Sequence, residues 1–473
     1  MTYSNDLDLT RKALDTYIEN CLKRKNPVVK QPPMAALADD LAIEDLIKSG
    51  GLHGECLTDF LDTYLDNLHQ IQHPASMGHQ VASPHLSGAL GGFIDAVTNN
   101  PMAIYEMGPA AATIEYALIN WMLKKVGWTP APYPGEKGQN SNFGAGVLTH
   151  GGSLAQLTAF AAARSHADPG IWANGNNPAL VVIAPPEAHY SASRALGILG
   201  MGQKSLIPAP CDEQGSIIPG QLDETIIAAK KNGKKIMAVV ANAGCTAAGL
   251  YDDLTKIGAL CQSHKVWLHV DGAHGASALL SAKYKHLLNG IEQASSIIWD
   301  AHKMMRTPGL CAAVLVKNHE HIDHAFTQEA SYLFHDKEQA GFDAISRSVE
   351  CTKAGIGLKF FMGLAAEGEQ GLAAYVDSRY DLAKQAANHI TNHQNFELAV
   401  QPEANIVCFR VKGLDDKQHL ELRKSLLASG KSYITSTNFM GKRWLRFTIM
   451  NPATTMGDIE HTLELLLEIS TKQ

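Results

Sequence analysis

The sequence predicts an α/β protein whose main body is a large, mainly parallel sheet with helices on both faces. Short apolar runs recur at 179–186, 235–244, 266–275, 295–303 and 311–318. Four of them are nearly continuously apolar, which strands buried on both faces require. Helical stretches such as LAQLTAFAAAR (154–164) and LTKIGALCQSH (254–264) lie before or between these runs, and that alternation favours parallel pairing. The chain has 473 residues, 45% hydrophobic and 18% charged, more than a single hydrophobic core accommodates.

Taken in order, residues 1–85 form a helical arm, broken by PVVKQPP at 27–33. Residues 86–360 form the large domain that carries the sheet. Within it, GEKGQNSNFGAG (135–146) follows no apolar run and reads as a flexible surface loop. The segment between Lys317 and Arg347 is polar and weakly periodic, and connections of that length are often functional or mobile. Residues 361–473 form a smaller α+β domain, with long helices and strands at 405–413 and 444–452.

Composition narrows the function classes. A net charge of −7 leaves no basic excess to meet nucleic-acid phosphates or an acidic membrane. The N-terminal segment is polar, and no run of about 18 apolar residues occurs. The eight cysteines are scattered without a CxxC pair, as suits reduced thiols in a cytoplasmic protein.

In open parallel sheets ligands bind beyond the carboxyl ends of the strands, and several chemically capable residues fall there. Lys303 follows the run SSIIWDAH. A partly desolvated lysine can condense with a carbonyl as a Schiff base, although a lone strand-end lysine more often snorkels to solvent. Asp271 ends VWLHVD and could face a cationic ring nitrogen or serve as a cap or ion-pair member. Gly152 and Ser153 open a helix whose free N–H groups suit a phosphate, though Gly-Gly-Ser is also an ordinary helix entry. His189, in PPEAHYS, could stack on an aromatic cofactor or be structural. His319, His321 and His324 in NHEHIDH lack HExxH spacing and read as a solvated polar turn, so no metal is expected.

Together, HP (73–74), GGS (151–153), EAH (187–189), HVDGA (269–273), HK (302–303), SYLF (331–334) and RFTIMNPA (446–453) resemble the pyridoxal-phosphate-dependent amino-acid decarboxylases of the glutamate, cysteine-sulfinate, aromatic-amino-acid and tyrosine group. The resemblance runs from about His73 to Ile459. It implies the type I fold of pyridoxal-phosphate enzymes, a homodimer, and decarboxylation of an L-amino acid to CO2 and a primary amine. Onto matching positions it places Lys303 as the Schiff-base lysine and Asp271 at the pyridine nitrogen. His189 and Ala273 fall on the two ring faces, Thr246 near the O3′ edge, and Gly152, Ser153, His302 and Asp300 around the phosphate. Arg446 would grip the substrate carboxylate, His79 and Gln80 would face the substrate, and Tyr332 would return a proton to Cα.

Departures from the family pattern bear on the substrate. Asp300 stands where many members carry Asn, His274 where an aromatic residue is common, and Gly272 where Ala is usual. HPASMGHQVASP (73–84) resembles bacterial tyrosine decarboxylases, whereas SYLF and NPA lean toward the glutamate and cysteine-sulfinate branch. An acidic substrate is expected, with an aromatic amino acid or 2,4-diaminobutyrate as alternatives. An inactive regulatory relative would be expected to have lost Lys303 or Asp271, and both are present.

Overall fold

The computed structural model describes residues 2–136, 142–326 and 341–471. Two compact units emerge, residues 84–380 with 402–404, and residues 1–83 with 381–401 and 405–473.

The larger unit is built on seven strands: β1 (Ala145–Thr149), β2 (Leu180–Ala184), β3 (Leu206–Pro208), β4 (Lys235–Asn242), β5 (Leu268–Asp271), β6 (Ser296–Asp300) and β7 (Ala312–Val316). Their order is β1-β7-β6-β5-β4-β2-β3. Only β7 runs against the others, pairing antiparallel with both β1 and β6. The strands β1, β2, β6 and β7 are buried at every position, which explains their unbroken apolar character. The helix Gly152–Ala167 packs on this sheet through Ala155, Ala159 and Phe160, in one core with Val182, Val240 and Val314.

Two sequence expectations change here. Gly144, Ala145 and Gly146, placed above in a surface loop, are buried, and the last two begin β1. The preceding residues 137–141 lie outside the described residues. The strand escaped notice because it is short and continues from a glycine-rich stretch. NHEHIDH is not a solvated turn either. It forms the short helix His319–Asp323 with Ile322 buried, and His319 stacks on Phe143 with centroids 4.0 Å apart.

The second unit contains an antiparallel sheet of order β10-β11-β9-β8, with β8 (Phe396–Leu398), β9 (Ile406–Val411), β10 (Thr435–Phe439) and β11 (Lys442–Thr448). Val407, Phe409, Leu445 and Phe447 pack on Ala383, Ile390, Leu422 and Leu463 from helices of the same unit. Its N-terminal part supplies the helices Thr2–Leu22, Met34–Asp40, Ile43–Ser49 and Gly54–Asp66. Among the described residues no helix is long and apolar enough to cross a membrane.

Candidate active site

Because β1, β2, β4, β5 and β6 run in one direction, their carboxyl ends open on one edge of the sheet. A cleft of about 250 Å³ lies there. Each strand contributes at or just past its end: His150 and the Gly151–Ser153 turn after β1, His189 after β2, Thr246 after β4, Asp271 and Ala273 at β5, and Asp300, His302 and Lys303 at β6. Nine residues singled out from the sequence thus line one cavity: Lys303, Asp271, His189, Gly152, Ser153, Thr246, Ala273, His302 and Asp300.

Backbone geometry shapes the floor. Gly151 caps the helix Gly152–Ala167 with φ 107°, a conformation that favours glycine. A Cβ on Gly152 would lie 2.9 Å from Asp300 Oδ2, so a side chain there would displace that carboxylate. The first turn of the helix has no acidic residue, and its positive dipole end suits an anion.

The charged groups are interlocked. Lys303 Nζ lies 3.2 Å from Asp300 Oδ2, and His302 Nε2 lies 3.7 Å from the same oxygen. Asp300 is 1% exposed, and its Oδ1 has no hydrogen-bond partner among the described residues. His302 Nδ1 donates to the Cys311 carbonyl at 2.8 Å, which fixes its ring. Asp271 Oδ1 accepts from the Ala273 N–H at 3.2 Å. His189 Nδ1 is 2.8 Å from Ser191 Oγ. Burial chiefly holds the His189 imidazole below its ordinary pKa; Asp271 and Asp300 oppose this, while Lys303 and Arg194 reinforce it. A neutral, flat ring therefore faces the cleft.

Arg446, His79 and Gln80 belong to the second unit. Arg446 is buried on β11, and its Nε donates to Thr435 Oγ1 at 3.2 Å. The His79 ring lies 5.7 Å from that of Tyr433. Partial burial, then the charges of Arg446 and Arg423, lower the His79 pKa. Tyr332 lies outside the described residues.

The cleft also holds residues that sequence reasoning passed over, among them His150, Ser191, Asn242, Cys245 and Leu310. His150 directly precedes the Gly-Gly-Ser turn and Ser191 is two residues past His189, so adjacency was the available signal.

A mainly parallel sheet with a strand-end lysine, a strand-end carboxylate and a helix N-terminus at one cleft suits a pyridoxal-phosphate enzyme of the type I fold. The chain belongs to the pyridoxal-dependent decarboxylase family, whose conserved-domain model matches residues 56–412. It is a pyridoxal-phosphate-dependent carboxy-lyase. Mouse CSAD is 25% identical with a TM-score of 0.87, covering 98% of each chain. The glutamate decarboxylase domain of diaminobutyrate-pyruvate transaminase and L-2,4-diaminobutyrate decarboxylase from Vibrio parahaemolyticus is 24% identical, with a TM-score of 0.82, over 100% of this chain and 96% of that one. Oryza sativa TDC, solved with PLP and tryptamine, is 20% identical with a TM-score of 0.85, over 100% and 99%. These last two show the shared fold.

The cleft's residues fit pyridoxal phosphate on their own chemistry. The helix N-terminus at Gly152 and Ser153 suits an anion. Lys303 is an amine 18% exposed, and Asp271 is a carboxylate able to meet a protonated ring nitrogen.

Proposed function

We propose that the chain decarboxylates an acidic L-amino acid (glutamate, aspartate or cysteine sulfinate) to CO2 and a primary amine. The observation that carries the acidic preference is Arg423, a second guanidinium besides Arg446, whose charge also acts on His79. A positive environment of this kind favours a substrate with a second negative group.

In this reading Lys303 carries the cofactor and Asp271 keeps its ring nitrogen protonated. His189 and Ala273 cover the ring faces, Thr246 meets the O3′ edge, and Gly152, Ser153 and His302 hold the phosphate, with Asp300 beside it. Bound there, pyridoxal phosphate supplies an electron sink for the pair released when the Cα–carboxylate bond breaks. Arg446 orients the α-carboxylate with its fork of donors, and His79 and Gln80 face the substrate. Tyr332 delivers the proton to Cα.

A homodimer is supported by the helix Leu86–Thr98, which exposes Leu86, Leu90, Phe93, Ile94 and Val97 together. An apolar face of that extent marks an interaction surface. A cytoplasmic location is supported by eight free cysteines.

A second reading, an aromatic substrate, is favoured by the His79–Tyr433 ring pair and by the segment at 73–84. Amine production measured over glutamate, aspartate, cysteine sulfinate, 2,4-diaminobutyrate, tyrosine and dopa separates the two. The highest kcat/KM is expected on an acidic substrate; a preference for tyrosine, dopa or diaminobutyrate overturns the acidic assignment.

A further inference from the structure

We propose that His150, held by Glu350, is a further cofactor-binding side chain that contacts the phosphate. The proposal rests on the phosphate seat at Gly152 and Ser153 argued above. His150 lines the cleft directly before that turn, at the end of β1. Its Nδ1 lies 2.6 Å from Glu350 Oε1. Glu350 is in turn held at its second oxygen by Ser348 Oγ, 3.4 Å away, and at its backbone N–H by the same hydroxyl, 3.1 Å away. Burial raises the Glu350 pKa, but the His150 hydrogen bond and the charges of His150 and Lys353 more than offset it. The ring is therefore tethered on one nitrogen by an anchored carboxylate, and only Nε2 is available to a ligand.

The charge balance of the cleft gives that nitrogen a task. A phosphate monoester brings about −1.5 to −2 charges at neutral pH. Lys303 and His302 already share the buried carboxylate of Asp300 at 3.2 Å and 3.7 Å. His189 is held neutral chiefly by burial. The helix N-terminus supplies only about half a positive charge. Between two anions, carboxylate and phosphate, each ring nitrogen of His150 has a partner. His150 thereby adds one donor to a seat that also has the Asp300 carboxylate to accommodate.

Apoprotein titrated separately with pyridoxal 5′-phosphate and with pyridoxal, followed by visible absorbance at equilibrium, tests this without relying on turnover. His150→Ala is expected to weaken pyridoxal phosphate roughly tenfold while leaving pyridoxal unchanged, as loss of one charge-assisted hydrogen bond implies. Glu350→Gln is expected to weaken pyridoxal phosphate in the same direction, by less. Unchanged phosphate-ester affinity in His150→Ala, or equal weakening of both ligands, overturns the proposal while leaving the seat intact. If Gly152→Ala leaves the preference for the phosphorylated ligand untouched, or the unsubstituted protein has no such preference, the seat itself is wrong and the proposal falls with it.

Discussion

Lys303 Nζ and Asp300 Oδ2 are 3.2 Å apart at the mouth of β6, with Asp300 1% exposed. Removing one partner of a buried ion pair leaves an uncompensated charge. Asp300→Leu is therefore expected to lower the unfolding free energy by about 3–5 kcal/mol, and Asp300→Asn, which loses the charge but still accepts from Lys303, by clearly less. Urea unfolding of the two variants checks this; equal losses contradict it.

Asp271 acts on chemistry rather than on packing. Its carboxylate bonds locally, accepting from the nearby Ala273 N–H at 3.2 Å, so Asp271→Asn is expected to fold normally. Amine formation is expected to fall by at least about a hundredfold, since the ring nitrogen loses its ionic partner. Steady-state kinetics beside a thermal melt separates these effects.

Glu115 and Lys353 form a fully buried pair, with Lys353 Nζ 2.6 Å and 2.7 Å from the two carboxylate oxygens. Glu115 also accepts from the Leu148 N–H at 3.0 Å, fixing the end of β1 just before His150. Lys353→Met is expected to cost about 3–5 kcal/mol. The double variant with Glu115→Gln is expected to recover part of that loss, as a double-mutant cycle would show.

Acid is expected to destabilise the fold before its carboxylates titrate. Burial chiefly holds His69, His73, His269 and His321 at a pKa of about 4, against an ordinary value of 6.5. The unfolded chain binds the extra protons first, so this stability is fully present above about pH 6.5 and lost as pH falls toward 4. His269, fully buried, contributes on the order of 3 kcal/mol. Urea midpoints measured at pH 7, 6 and 5 should fall steadily; a flat profile contradicts the prediction.

Much of the fold was legible because burial on both faces writes itself as continuous apolar runs. β2, β4, β5, β6 and β7 each fall inside a run read from the sequence. β1 is a five-residue AGVLT following a glycine-rich stretch, while β3 and β8 have three residues each. β10, TSTNF, is too polar to stand out. The cleft was legible where strand ends coincide with chemical groups, as at Asp271 and Lys303. His150 was not, because its partner Glu350 lies 200 residues away, and no local pattern reports a contact made by the tertiary fold.

The most direct test of the central claim is borohydride reduction of the cofactor-loaded protein, followed by peptide mapping. One pyridoxyl-phosphate adduct per chain is expected, on Lys303, and none in Lys303→Ala. A stable adduct on another lysine, or none in protein that makes amine, would contradict it.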